Sequence, residues 1–256
     1  MSDAGAGVGR RAALHAALGE PVRLAIADRL ALSDAAPGEL GAELGVPTNL
    51  LAHHLKTLQD AGIIRRVRSE GDRRRSYVQL VLDDPLVARL TAPDAGPTEE
   101  PAPRVVFVCT HNSARSQLAA ATWSQVSDVP VASAGTHPAG RVHPRAVRIG
   151  ARHGLHLEDA GTAHLDQVVL PGDLVVAVCD NAHEGIPASG SPGRAGGIGL
   201  TQRRLHWAVP DPATADTDEA FEAAYAQIAS RVDRLAEALA STDAGRRAPA
   251  QRPATA

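Results

Sequence analysis

The sequence predicts a mixed α/β chain in two units. The first is mostly helical and ends in a β-hairpin; the second is an α/β unit with a parallel sheet. Three observations predict this. A Pro-, Ala- and acid-rich stretch, Thr91–Pro103, breaks the apolar patterning and reads as a linker. Before it, helical spacings give way to two short strands around a turn. After it, short apolar strands alternate with helical patterns, the order that builds a parallel sheet. A chain of 256 residues suffices for two small domains. The expected boundaries are residues 10–90, a linker over 91–103, residues 104–240, and a disordered tail over 241–256.

In the first unit, Pro21 opens a helical pattern with Val22, Leu24, Ile26 and Leu30. A short helix carrying Leu40 and Leu44 stops at Gly45. Thr48 is the expected N-cap of a helix from Asn49 to Ala61, with Leu51, Leu55 and Leu58 on one face and Gly62 as its stop. Ile63–Val67 and Tyr77–Leu82 read as strands flanking the turn formers Ser69-Glu70-Gly71-Asp72. In the second unit, Val105–Val108, Val131–Ala134 and Leu174–Val178 read as strands. Helices are expected from about Arg115, over Pro144–His153, and through Phe221, Tyr225, Ile228, Val232, Leu235 and Leu239.

Composition excludes several classes. The chain is 44% hydrophobic and 21% charged with a net charge of -3, so it is no polycation, and nucleic-acid contact requires a local patch. No apolar run approaches the roughly 18 residues of a membrane span, and the N-terminus lacks the apolar core of a signal peptide. Two cysteines argue against a secreted disulfide scaffold, so a reducing, cytoplasmic setting is expected.

The chemistry concentrates in Val105-Val-Phe-Val-Cys109-Thr-His-Asn-Ser-Ala-Arg115-Ser116: a buried strand, a short polar loop and a helix start. Such a loop can curl so that the N–H groups of Thr110, His111, Asn112, Ser113 and Ala114 join the helix N-terminus in binding a tetrahedral oxyanion. The same positive potential favours an anionic, nucleophilic sulfur at Cys109. Arg115 offers a planar fork to two substrate oxygens. Ser116 can hydrogen-bond the sulfur, and Asn112 suits a left-handed backbone position. Downstream, Asp211 lies between Pro210 and Pro212 on an expected loop after His206-Trp207, held as a positioned acid would be.

These residues resemble the low-molecular-weight protein tyrosine phosphatase family and, within it, the arsenate reductases of that fold. The resemblance spans residues 104–240 and implies a four-stranded parallel sheet flanked by helices. Nucleophile, arginine and acid map onto Cys109, Arg115 and Asp211, and Ser133-Ala134-Gly135-Thr136 resembles a family segment. Ala213 and Thr214 stand where the phosphatases place phenol-stacking aromatics, which favours the reductases. Cys179 stands where thioredoxin-coupled reductases carry a resolving cysteine. Ile186 and Ala114 replace two further cysteines, so a three-cysteine relay is impossible. Two routes stay open: a Cys109–Cys179 disulfide opened from outside, or direct attack by an external thiol. The expected reductant is a low-molecular-weight thiol or a thioredoxin/glutaredoxin-like protein, with no bound cofactor and no metal.

Residues 10–90 resemble the winged helix-turn-helix of ArsR-type regulators. The similarity rests on Glu20-Pro-Val-Arg23, Leu50-Leu-Ala-His-His-Leu-Lys-Thr-Leu58, Ala61-Gly-Ile-Ile64 and an Arg-rich hairpin. It implies major-groove contacts from Thr48, Asn49, His53 and Lys56, and phosphate contacts from wing residues Arg73, Arg74 and Arg75. Six arginines lie between positions 65 and 75 against Glu70 and Asp72. His54 suits a packed helix position as well as a contact. The resemblance also implies a homodimer on an operator in double-stranded DNA. Three functions stay open: a fused regulator and arsenate reductase with a redox partner, a phosphatase for phosphomonoesters, and an oxyanion sensor without turnover.

Overall fold

The computed structural model describes residues 3–92, 104–187 and 204–247. The first unit begins with α1 (Asp3–Leu18), which the sequence reading did not anticipate; it buries Leu14, Ala17 and Leu18. Next, α2 (Pro21–Leu30) starts at its proline, with the Glu20 carboxylate accepting from the Val22 and Arg23 N–H groups. Then α3 (Pro37–Leu44) ends at Gly45, whose φ of 63° is left-handed. In α4 (Thr48–Asp60) the expected cap is corrected: Pro47 is the N-cap and Thr48 the first helical residue. The extended backbone of Pro47 (φ -57°, ψ 144°) turns the chain without a side-chain cap. Strands β1 (Ile64–Arg68) and β2 (Ser76–Leu80) pair antiparallel, each offset by one or two residues from expectation. An unforeseen helix, α5 (Pro85–Leu90), is capped by Asp84.

The second unit runs β3 (Val105–Cys109), α6 (Arg115–Val126), β4 (Val131–Gly135), α7 (Pro144–Arg152), α8 (Leu165–Val168), β5 (Leu174–Ala177) and α9 (Asp180–Gly185). It continues with β6 (Arg204–His206), α10 (Pro212–Ala215) and α11 (Asp218–Arg247). The four strands are parallel in the order β4-β3-β5-β6. Every residue of β3 is buried, as a central parallel strand requires. Two expectations are corrected. His206 ends a strand rather than lying on a loop, because β6 pairs with β5 and the Trp207 N–H continues the ladder to the Ala177 carbonyl. Residues 241–247, read as disordered tail, continue α11, since the Ala-containing run holds no proline before Pro249. Residues 93–103 of the expected linker and 248–256 of the tail lie outside the described residues. Thr91, assigned to that linker, is buried and accepts from Arg234.

The units share buried polar contacts. Asp34, after α2, accepts from Gln79 Nε2 (2.7 Å), the Ala208 N–H (2.7 Å) and Arg231 Nη1 (2.9 Å). The Trp207 indole donates to the Leu32 carbonyl at 2.9 Å, and Ser33 Oγ accepts from the His206 N–H at 3.0 Å. Asp34 and Arg231 are both buried. Removing one partner of a buried pair strands the other charge, at a cost of about 3 kcal/mol. Asp34→Ala is therefore expected to lower unfolding stability by about 3 kcal/mol in urea titrations, with near- and far-ultraviolet signals shifting together. An unchanged midpoint would mean that this ion pair does not join the units.

Candidate active site

Strand β3 delivers Cys109 to the carboxyl edge of the sheet, the edge where parallel α/β folds bind ligands. The loop that follows has its carbonyls taken from outside. The Thr136, His137, Ala139 and His143 N–H groups donate to the carbonyls of Cys109 (3.1 Å), Thr110 (2.8 Å), His111 (2.9 Å) and Ser113 (2.8 Å). Gln117 Nε2 donates to the Asn112 carbonyl at 3.1 Å. In a planar trans peptide, an outward carbonyl turns the next N–H inward. The Asn112 N–H accordingly points at Cys109 Sγ, 3.2 Å away.

Asn112 is buried with a φ of 49°, the left-handed position expected of it. That conformation costs an L-residue about 1 kcal/mol, which its side chain offsets. Nδ2 donates to Ser116 Oγ (2.9 Å) and Ser133 Oγ (3.0 Å), and Oδ1 accepts from the Ala163 N–H (2.9 Å). Ser116 Oγ lies 3.1 Å from Cys109 Sγ. The His111 side chain is exposed.

Arg115, the first residue of α6, is 3% exposed. Its Nη1 donates to the Val209 carbonyl (2.9 Å) and to Glu70 Oε2 (3.1 Å), and its Nη2 lies 2.9 Å from Asp211 Oδ2. Burial pulls the guanidinium pKa down. Coulombic attraction to the acidic groups around it, Cys179, Asp211, Cys109 and Glu70, outweighs this and holds the pKa above its ordinary value. Asp211 caps α10 by accepting from the Ala213 N–H at 3.1 Å, which fixes its carboxylate opposite the cysteine loop. This arrangement can bind a tetrahedral anion, attack it with sulfur and protonate a departing oxygen.

Cys179 follows β5, whose last pairing is made by Ala177, and so lies at the carboxyl edge of the sheet as expected. It is fully buried as the N-cap of α9, with Sγ accepting from the Ala182 N–H (3.4 Å) and 3.6 Å from Thr110 Oγ1. Burial pushes its thiol up to about 11, against the pull of Arg115.

The other candidate residues belong to α4 and the hairpin of the first unit. Thr48, Asn49, His53 and Lys56 are exposed on α4, opposite buried Leu51, Leu55 and Leu58. Lys56 pairs with Asp60 at 2.8 Å. His54 is buried 3.3 Å from Glu20, a packed residue. Arg73, Arg74 and Arg75 are exposed on the hairpin, with Arg74 held by Asp72 at 2.9 Å.

A cleft of about 440 Å3 is lined by Arg68, Glu70 and Arg73 of the hairpin together with Asn181, Asp211 and Thr214. Sequence reasoning missed Glu70 as a site residue. Its only signal was an acid within a basic turn, and the partners lie 45 and 141 positions away.

A family model described as low molecular weight phosphotyrosine protein phosphatase matches residues 104–244. The chain belongs to this family. Its phosphatase-family unit is 32% identical over 143 residues to an arsenate reductase of Halalkalibacterium halodurans, covering 54% of this chain and 95% of that protein. It is 31% identical over 137 residues to an arsenate reductase of Brevibacillus brevis, covering 52% and 93%. Among solved structures, an arsenate reductase of Archaeoglobus fulgidus is 29% identical with a TM-score of 0.42, covering 52% of this chain and 98% of that one. A helix-turn-helix model matches residues 18–67. The chain thus joins an enzyme domain of the phosphatase family to a helix-turn-helix domain.

In this phosphatase-family unit Gly135 faces the back of the cysteine loop. An added Cβ would lie 2.8 Å from the Thr110 carbonyl oxygen and 2.9 Å from the Asn112 nitrogen. Backbone cannot yield as a side-chain tip can, so Gly135→Ala is expected to cost about 2 kcal/mol by thermal unfolding. Sulfate affinity in calorimetry should fall at least tenfold. Wild-type sulfate affinity in this variant would contradict the loop geometry.

Proposed function

We propose that the chain reduces arsenate to arsenite and binds operator DNA through its first unit. The observation that carries the enzymatic reading is the Cys109 sulfur within 3.2 Å of both the Asn112 N–H and Ser116 Oγ, with Arg115 and Asp211 paired at 2.9 Å. The arsenate reductase relatives, which the phosphatase-family unit matches almost end to end, favour arsenate as the oxyanion. Ala213 and Thr214, which follow Asp211 and Pro212, offer no ring for a phenol to stack on, which weighs against an aryl phosphate.

In the proposed reaction Cys109 thiolate attacks arsenic, forming an S–As bond. Arg115 and the loop amides of Thr110 to Ala114 hold the oxyanion, and Asp211 protonates the departing oxygen, which leaves as water. A thiol then attacks the Cys109 sulfur. The S–As electron pair passes to arsenic, which leaves as arsenite, and a mixed disulfide forms. A second thiol restores Cys109 and carries away the oxidised pair. Ser116 supports the sulfur as a leaving group. The high thiol pKa of buried Cys179 supports resolution by an external thiol, a small one or a redox protein, over an internal disulfide.

Arsenite release measured with arsenate and a small dithiol tests this. Cys109→Ser is expected to abolish it, and Asp211→Asn to lower kcat by about 100-fold or more. Cys179→Ala should retain at least about a third of the rate. Aryl phosphate hydrolysis exceeding arsenate reduction would overturn the reading in favour of a phosphatase. Loss of activity in Cys179→Ala would restore the disulfide route.

For the first unit, exposure of Thr48, Asn49, His53 and Lys56 on one face of α4 supports groove contact by that helix. The exposed Arg73, Arg74 and Arg75 suit phosphates. We propose a cytoplasmic homodimer, with two such units on one operator. Fluorescence anisotropy with a duplex spanning the promoter of its own gene supplies the check. Asn49→Ala is expected to weaken binding about tenfold, and Arg73→Ala to reduce the salt slope by about one. Equal binding by both variants and wild type would remove α4 and the hairpin from the interface.

A further inference from the structure

The hairpin of the helix-turn-helix unit forms part of the active site. Its tip is anchored on α9 by several bonds. Ser69 Oγ and the Tyr77 hydroxyl donate to Glu184 Oε1 at 2.7 and 2.8 Å, and the Asp72 N–H donates to Glu184 Oε2 at 2.8 Å. The Glu70 N–H donates to Asp180 Oδ2 at 2.9 Å. Gly71 passes so close that an added Cβ would lie 2.5 Å from Glu184 Oε2 and 3.0 Å from Asn181 Oδ1.

This anchoring aims one side chain into the pocket. Glu70 Oε1 accepts from the Asp211 N–H at 2.6 Å, and Oε2 accepts from Arg115 Nη1 at 3.1 Å. The Glu70 carboxylate therefore bridges the arginine and the backbone of the acid that the proposed reaction uses. It performs no step of that chemistry, yet it occupies a guanidinium donor suited to a substrate oxygen. It also adds negative charge to a pocket already holding Asp211 and the Cys109 sulfur.

We infer that Glu70 is a residue of the oxyanion site, supplied by the DNA-binding hairpin as an internal carboxylate competitor that a small inorganic oxyanion displaces from Arg115. The anchors on Glu184 and Asp180 hold the hairpin backbone in place, so displacement needs only rotation of the Glu70 side chain. The inference rests on the oxyanion reading of the pocket, but not on the fate of any adduct.

Calorimetric titration of the full chain with sulfate, an oxyanion that is not turned over here, tests it. Glu70→Gln and Glu70→Ala are expected to bind sulfate about tenfold more tightly than wild type, the scale of one coupled pair of sites. Glu70→Asp, which keeps the charge, should stay within about threefold of wild type. Unchanged or weaker binding in Glu70→Gln overturns the inference. So does equal tightening in Glu70→Asp, which would assign the effect to side-chain size. Sulfate binding to none of the four proteins sinks both this inference and the oxyanion reading. Tighter sulfate binding without arsenite formation in the separate assay leaves the inference standing and removes only the reductase reading.

Discussion

The burial of one guanidinium organises the site. Arg115 is 3% exposed, and a buried cation is tolerated only when paired and hydrogen-bonded. Its partners come from two distant parts of the chain: the Val209 carbonyl and Asp211 from the segment after β6, and Glu70 from the hairpin between β1 and β2. Its position at the start of α6 also places the charge beside the loop whose amides face Cys109. Glu70 and Asp211, which line the cleft, are both held by this one side chain. An anion entering the pocket meets a cation whose other neighbours are already negative.

That demand bears on how the two units sit together. A helix-turn-helix unit joined only by its linker would leave the catalytic rim open. Here the buried ion pair of Asp34 and Arg231, the Trp207–Leu32 bond and the Glu184 anchors hold the hairpin against α9. Behind these anchors, His183 stacks on His206 with ring centroids 4.0 Å apart and Tyr77 meets His206 edge-on at 4.4 Å. Burial and the neighbouring His206 push His183 down to about 3, so it stays neutral at ordinary pH and adds no cation to the joint. The hairpin turns Glu70 onto Arg115 while Arg73, Arg74 and Arg75 stay exposed.

Local signals made much of this legible in the sequence. The β3 strand, the cysteine loop and the start of α6 are contiguous, so spacing alone reported Cys109, Asn112, Arg115 and Ser116. Long apolar periodicity reported α4 and α11. What escaped was non-local or weakly patterned. The Ala-rich α1 carries few large apolar residues, and β6 is three residues long with no alternation to detect. Thr48 matched a capping residue by type, but Pro47 before it had already set the backbone. Glu70 and Asp34 find partners across the unit boundary, up to 197 positions away, where no local periodicity can reveal them.

The position of Cys179 shows how the same cation limits the chemistry. Arg115 draws the Cys179 thiol downward, but burial and the neighbouring Cys109 sulfur drive it up to about 11. One guanidinium already shared by two carboxylates cannot sustain two anionic sulfurs in a space closed to water. Cys109 has Ser116 Oγ and the Asn112 amide against its sulfur, whereas Cys179 has the Ala182 N–H and Thr110 Oγ1. Forming an adduct on Cys109 does not relieve this conflict, because the bound oxyanion brings negative charge of its own to Arg115. Under the proposed reaction the electron pair that resolves the adduct is then more readily delivered from solvent.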